Sequence, residues 1–218
     1  MSALAVGEQE RRSVAAPAAT ARPELALLTS LPLVFGEGFG LGGGGSVALR
    51  RLEQRYDVVP IGVADAPSLS GRRLLLMAHA RAQPAEALVD LDQWVRDGGR
   101  VLLLADPKLD WESKRATGDR LRPPPAFADT GLLGHWGLTL SGPTADGQVV
   151  LANGEIEVVA NSPGKLSGAG CNILADGFVA RCRIGAGVAT VIADADFLNG
   201  EPHNLDLLMD ELGRLESR

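Results

Sequence analysis

Apolar residues follow two rhythms along this chain, short unbroken runs and longer stretches with a helical repeat, and the two alternate from Glu24 onward. The runs LALLTSLPLVF, YDVVPIGV, RLLLMA and RVLLLADP read as strands. They lack the in–out alternation of a half-exposed strand, so burial on both faces is expected. Pro32 has no amide hydrogen to donate, and regular pairing in the first run is expected to stop near Ser30. Between the runs lies SVALRRLEQR, where Ser46 can cap a short helix that packs through Val47, Leu49 and Leu52. The clearest helix is PAEALVDLDQWVRDGG, with Ala87, Leu88, Leu91, Trp94 and Val95 on one face. Pro84 suits its first turn, and Gly98-Gly99 supplies the stop. Strands alternating with amphipathic helices predict a mainly parallel sheet covered by helices.

The rhythm then changes. Residues 108–125 are polar and proline-rich, a long excursion rather than core. In QVVLANGEIEVV, an Asn153-Gly154 turn sets Leu151 opposite Ile156 and Val149 opposite Val158. In CNILADGFVARC, an Asp176-Gly177 turn sets Ile173 opposite Ala180 and Cys171 opposite Cys182. These hairpins predict a small antiparallel unit, about residues 143–185, interrupting the α/β core. VATVIADADF resumes that core. A last helix then begins near Asn204, with Leu205, Leu208, Met209, Leu212 and Leu215 as its apolar stripe. Residues 1–22, rich in Ala, Arg and Pro, read as a flexible arm, and 23–218 as one domain.

Composition narrows the function classes. The formal charge of −6, with no basic block interleaved with aromatics, excludes broad nucleic-acid binding. No apolar run approaches the roughly 18 residues of a membrane helix, so direct membrane insertion is not expected. The N-terminus shows no signal-type apolar segment, which makes a cytoplasmic protein the expectation. Counting out from the hairpin turn places the two cysteines at a hydrogen-bonded pair, where Cα atoms lie about 5.5 Å apart. With a reducing compartment, that favours two reduced, core-facing thiols over a disulfide or a metal pair.

Two long pieces, LLLMAHARAQPAEALVDLDQWVRDGGRVLLLADP and GVATVIADADFLN…HNLDLLMDEL, carry a resemblance. They resemble the class I glutamine-amidotransferase-like domain of the GldG family, which is associated with ABC-type transport and gliding motility. The resemblance rests on Gly98-Gly99, Asp106-Pro107, Asp194-Ala195-Asp196-Phe197-Leu198 and Asn204, and spans about residues 24–216. It implies a flavodoxin-like (amidotransferase-like) three-layer α/β sandwich. It also implies a non-catalytic binding or scaffold role beside an ABC transporter or other membrane machinery. The chain departs from the transport members in having no membrane helix.

The chemistry is weighed residue by residue. A class I amidotransferase needs a cysteine on a glycine-flanked elbow, and the matching LLLMAHARAQ offers only His79, so glutamine hydrolysis is not expected. The run Gly38–Gly45 holds two G-x-G-x-x-G registers, with Asp65 as an acid for a ribose, but a run of glycines matches almost any spacing and no P-loop lysine follows. A flexible loop is the expectation, with no cofactor. The edge formed by His79, Asp106, Asp194, Asp196, His203 and Asn204 is the candidate ligand-binding site, because ligands of open α/β sheets bind beyond the carboxyl ends of the strands. Two carboxylates and an imidazole can exchange protons or hold a cation, which makes a hydrolase or metal-dependent enzyme the alternative. Structural roles compete, since such aspartates also bind loop amides and Asn204 suits an N-cap; no catalytic residue and no metal ligand is assigned. His135 and Trp136 are expected to pack beneath the hairpin unit, and Trp111 to clamp the polar excursion. Oligomeric state is not legible.

Overall fold

The computed structural model describes residues 22–36 and 45–217. The arm at 1–22, apart from Arg22, and the glycine run, apart from Gly45, lie outside the described residues.

A seven-stranded sheet organises the chain. In chain order its members are β1 (Glu24–Thr29), β2 (Asp57–Pro60), β3 (Leu74–Ala78), β4 (Arg100–Leu104), β9 (Cys171–Leu174), β10 (Val179–Ile184) and β11 (Gly187–Ile192). Four further strands, β5 (Thr139–Ser141), β6 (Gln148–Asn153), β7 (Ile156–Asn161) and β8 (Lys165–Ser167), form two separate pairs, β5 with β8 and β6 with β7. The main sheet runs β2-β1-β3-β4-β11-β10-β9. Its first five strands are parallel, and β10 and β9 continue it antiparallel. It is open, with β2 and β9 as edges, rather than a closed barrel. The expected mainly parallel α/β sheet is therefore present. The antiparallel insertion is divided differently: β9 and β10 extend the main sheet, and only β5 to β8 stand apart from it.

Helices fill the connections: α1 (Val47–Glu53), α2 (Ala66–Leu69), α3 (Ala85–Arg96), α4 (Leu132–His135) and α5 (Leu205–Glu216). Contacts group α1 with α5, and α2 with α3. Every residue of β3 is buried, as are four of the five in β4. Such strands need cover on both faces, which is why their sequences are unbroken apolar runs. Ser46 caps α1 by accepting from the Leu49 amide at 3.0 Å. Ala48 packs inward beside Leu49 and Leu52, while Val47 faces outward, a correction to the expected packing set. Gly98, at φ +110°, ends α3 in the region that glycine enters without strain.

The two hairpins fared differently. Cys171 pairs with Cys182 and Ile173 with Ala180, as the turn arithmetic requires. In the other, Leu151 pairs with Val158 and Asn153 with Ile156, so the register is two residues from the expected one. Gly154, at φ +69°, takes the first turn position with Glu155 second, and Asn153 remains in the strand. A shift of two keeps each side chain on its face.

Cys171 and Cys182 are joined in a disulfide, with Cα atoms 4.3 Å apart. This corrects the expectation of reduced thiols. The spacing is that of a close, non-hydrogen-bonded pair, about 4.5 Å, not the wider 5.5 Å kind. No helix among the described residues is long and apolar enough to cross a membrane.

Candidate functional site

Three of the six expected site residues converge where β4 and β11 end. Asp106 follows β4, and Asp194 and Asp196 follow β11, which is parallel to it and hydrogen-bonded beside it. The side chains do not simply project into space. Asp106 is fully buried and accepts from the Lys108 and Ala195 amides, each at 2.9 Å. It thus ties the end of β4 to the loop after β11. Asp194, also fully buried, accepts from the Phe197 amide at 3.1 Å and from the Asn161 amide, at the end of β7, at 2.8 Å.

Asp196 is different. It is half-buried, and its Oδ2 accepts from the Asp110 amide at 2.8 Å. Its Oδ1 makes no hydrogen bond among the described residues. Burial, opposed by that amide bond and reinforced by Asp106 and Asp110, pushes its pKa up to about 7. Burial also raises Asp106, to about 6, against the pull of three backbone amides. Asp194 is raised by burial and then by Asp106. Carboxyls close to one another resist ionising together.

Three contributors were not foreseen. Asp110, in the excursion after β4, accepts through Oδ2 from Asn161 Nδ2 at 3.3 Å and Ser162 Oγ at 3.1 Å. Ser162 is fully buried at φ +52° and its Oγ also accepts from the Gly147 amide at 3.0 Å. No spacing rule could have found them, because a loop and the open end of a separate hairpin supply them.

The other three expected residues go elsewhere. His79 does follow β3 at the same edge of the sheet. It is fully buried, and its Nε2 donates to the Pro124 carbonyl at 2.9 Å. Its Nδ1 is buried with no partner. Burial lowers its pKa, opposed by the Pro124 bond, and Arg81 lowers it further. Its φ is +47°, in the left-handed region, directly after β3. His203 lies by the start of α5, lining a surface cavity with Arg50, Arg51 and Asp206, away from the carboxylates. Asn204 does not cap α5; its Oδ1 accepts from the Val159 amide of β7 at 3.0 Å.

Asp65 caps α2 by accepting from the Ser68 amide at 3.0 Å, so the acid assigned to a ribose has a local task. His135, the last residue of α4, and Trp136 after it also reach α3: Trp136 Nε1 donates to Asp92 at 2.9 Å, and exposed His135 lies 3.2 Å from the same carboxylate, while the buried Trp136 has its carbonyl 3.7 Å from Cys171 Sγ of the second hairpin. Trp111 is half-buried against the core. Among the described residues, no three His, Cys, Asp or Glu side chains form a group suited to hold a metal ion. The arrangement is suited to proton exchange at Asp196, with Asp106 and Asp194 holding the loop that carries it.

No family model and no curated protein matches the chain. Solved structures do. An exo-beta-1,4-mannosidase from Opitutaceae bacterium strain TAV5 matches with a TM-score of 0.56 at 16% identity, over 88% of this chain and 35% of that one. A beta-galactosidase from Bacillus circulans sp. alkalophilus matches at 0.51 and 13% identity, over 90% and 31%. The cytoplasmic protein STM3548 from Salmonella typhimurium matches at 0.54 and 11% identity, over 88% and 98%. At these identities the similarity is one of fold. The chain spans about a third of the length of the glycosidases it matches. The expectation of a non-catalytic scaffold for ABC-type transport is corrected by these neighbours. They include beta-galactosidases and a mannosidase.

Proposed function

We propose that this chain is a hydrolase domain in which Asp196 is the proton-transferring carboxyl. The observation that carries the reading is the state of Asp196: half-buried, with one oxygen free and a pKa raised to about 7 by burial. A carboxyl with that pKa populates both its acid and base forms at neutral pH, the condition for efficient general acid–base catalysis. It stands beyond the carboxyl ends of parallel strands, the usual ligand side of an open α/β sheet. Asp106 and Asp194 are positioning residues, since backbone amides occupy both oxygens of each.

The body is, on this reading, a flavodoxin-like three-layer sandwich of the amidotransferase-like kind. Its support is the order β2-β1-β3-β4-β11, the doubly wound pattern, together with the α1–α5 and α2–α3 groups. After β3, where the amidotransferase-like resemblance would want a cysteine, this chain has His79.

The substrate class to test first is glycosides, because beta-galactosidases and a mannosidase share the fold. Chromogenic β-galactosides, β-mannosides, esters and phosphate esters should be assayed between pH 5 and 9. Turnover of one class, with kcat lowered about 100-fold or more by Asp196→Asn, is the expected result. Absence of turnover across the panel, or turnover indifferent to the substitution, overturns the proposal.

A further inference from the structure

The edge of the sheet opposite the carboxylates carries the opposite charge. Arg72 and Arg73 lead into β3, Arg100 begins β4, and Arg183 lies near the end of antiparallel β10. Two cavities open there, about 660 and 470 Å³, and both are lined by Arg73 and Arg100. Four arginines therefore line a cleft made of two cavities that share Arg73 and Arg100, on a chain whose formal net charge is −6. Residues so disposed work against the long-range field of their own protein, and their local potential draws anions.

Of the two carboxylates in the lining, one offsets part of this charge. Glu24 pairs with Arg72 at 2.7 Å. Glu216 pairs with Arg55, outside the lining, while its backbone carbonyl accepts from Arg100 at 2.9 Å. Those contacts fix Arg72 and Arg100 in place, which lowers the ordering cost of binding. The side chains of Arg73 and Arg183 make no hydrogen bond or ion pair among the described residues. Arg73 and Arg100 line both cavities, Arg72 the larger and Arg183 the smaller, with Pro23, Leu74 and Val188 as apolar lining.

We infer that this cleft binds a small organic anion bearing two or more phosphate or carboxylate groups. Guanidinium forks match both groups in a bidentate way, and the apolar lining suits an organic body. The site stands apart from Asp196 and does not depend on the proposed hydrolase function.

Pyrophosphate and citrate, titrated separately into the full chain by calorimetry in low salt, distinguish the two anion classes. Saturable binding of at least one at submillimolar concentration is expected, weakened tenfold or more by Arg73→Gln with Arg183→Gln and unchanged by Asp196→Asn. Both arginines are exposed, so the double variant should keep the parent circular dichroism and melting temperature. Should that variant unfold, Arg183→Gln alone provides the same comparison with a smaller loss. Lack of saturable binding by either anion, or binding indifferent to the arginine substitutions, overturns the inference.

Discussion

Glu211 of α5 is fully buried and its carboxylate is held by Arg181 of β10, with Arg181 Nε donating to Oε2 at 3.0 Å and Nη2 to Oε1. Asn153, at the end of β6, donates to the same carboxylate at 2.9 Å. One acid therefore joins the last helix, the antiparallel extension of the main sheet and the separate β6–β7 hairpin. Removing one member leaves the other charged and desolvated. Glu211→Ala should cost about 3–5 kcal/mol in urea unfolding, and a joint replacement Arg181→Met with Glu211→Leu should restore most of it. A loss under 1 kcal/mol for the single variant would show that the pair is solvated in solution.

The Asp196 carboxyl makes stability depend on pH in an unusual direction. Its folded pKa, about 7, lies above the 3.8 of an ordinary aspartate, so between those values the native state binds more protons than the unfolded chain. Stability therefore falls as pH rises from about 4 towards 7, and the full penalty is present above 7. Asp106, raised to about 6, acts in the same sense over a narrower window. Asp196→Asn should flatten the upper part of this slope and gain on the order of 2 kcal/mol at pH 8 over the parent. Melting curves at pH 5 and 8 check this; equal Asn and Asp values at both would refute it.

The disulfide between Cys171 and Cys182 closes a loop with a sequence separation of 11. Loop-closure entropy for a ring of that size corresponds to about 2–3 kcal/mol. Cys171→Ala with Cys182→Ala should lose about that much. Mass spectrometry after alkylation, without reductant, should leave both cysteines unlabelled; two labels would show free thiols.

His79 joins backbone strain to loop anchoring. Its φ is +47°, and its ring donates to the Pro124 carbonyl in the excursion that follows β4. A β-branched residue is costly at that φ and cannot make the bond. His79→Val should destabilise by roughly 2 kcal/mol or more and hasten proteolytic cleavage between residues 107 and 131. His79→Gly removes the strain but not the loss of the anchor, so it should share the faster cleavage with a smaller loss of stability. Unchanged cleavage in both variants would sink the anchoring role.

Much of the fold was legible because local chemistry imposed it. The unbroken run Leu74–Ala78 can only be a strand covered on both faces, and Ser46 and Gly98 mark helix ends through hydrogen bonding and backbone freedom. The site was less so. Asp106, Asp194 and Asp196 were found from their places after strands, whereas Asp110, Asn161 and Ser162 come from a loop and the open end of a hairpin whose positions no period encodes. Asn204 misled because a side chain before a helix usually serves that helix, and here a neighbouring strand claims it.

The sequence by itself determined where strands and helices form, since periodicity and caps act over a few residues. It also determined that the Cys171–Cys182 register is even and shared, because side chains alternate strictly along a strand. Only the tertiary structure decided that the thiols are close enough to join, that Asp196, unlike Asp106 and Asp194, keeps an oxygen free, and that four arginines from distant segments line two cavities sharing Arg73 and Arg100. Those outcomes depend on burial and on through-space charge, and both are set by elements that meet only when the chain has folded.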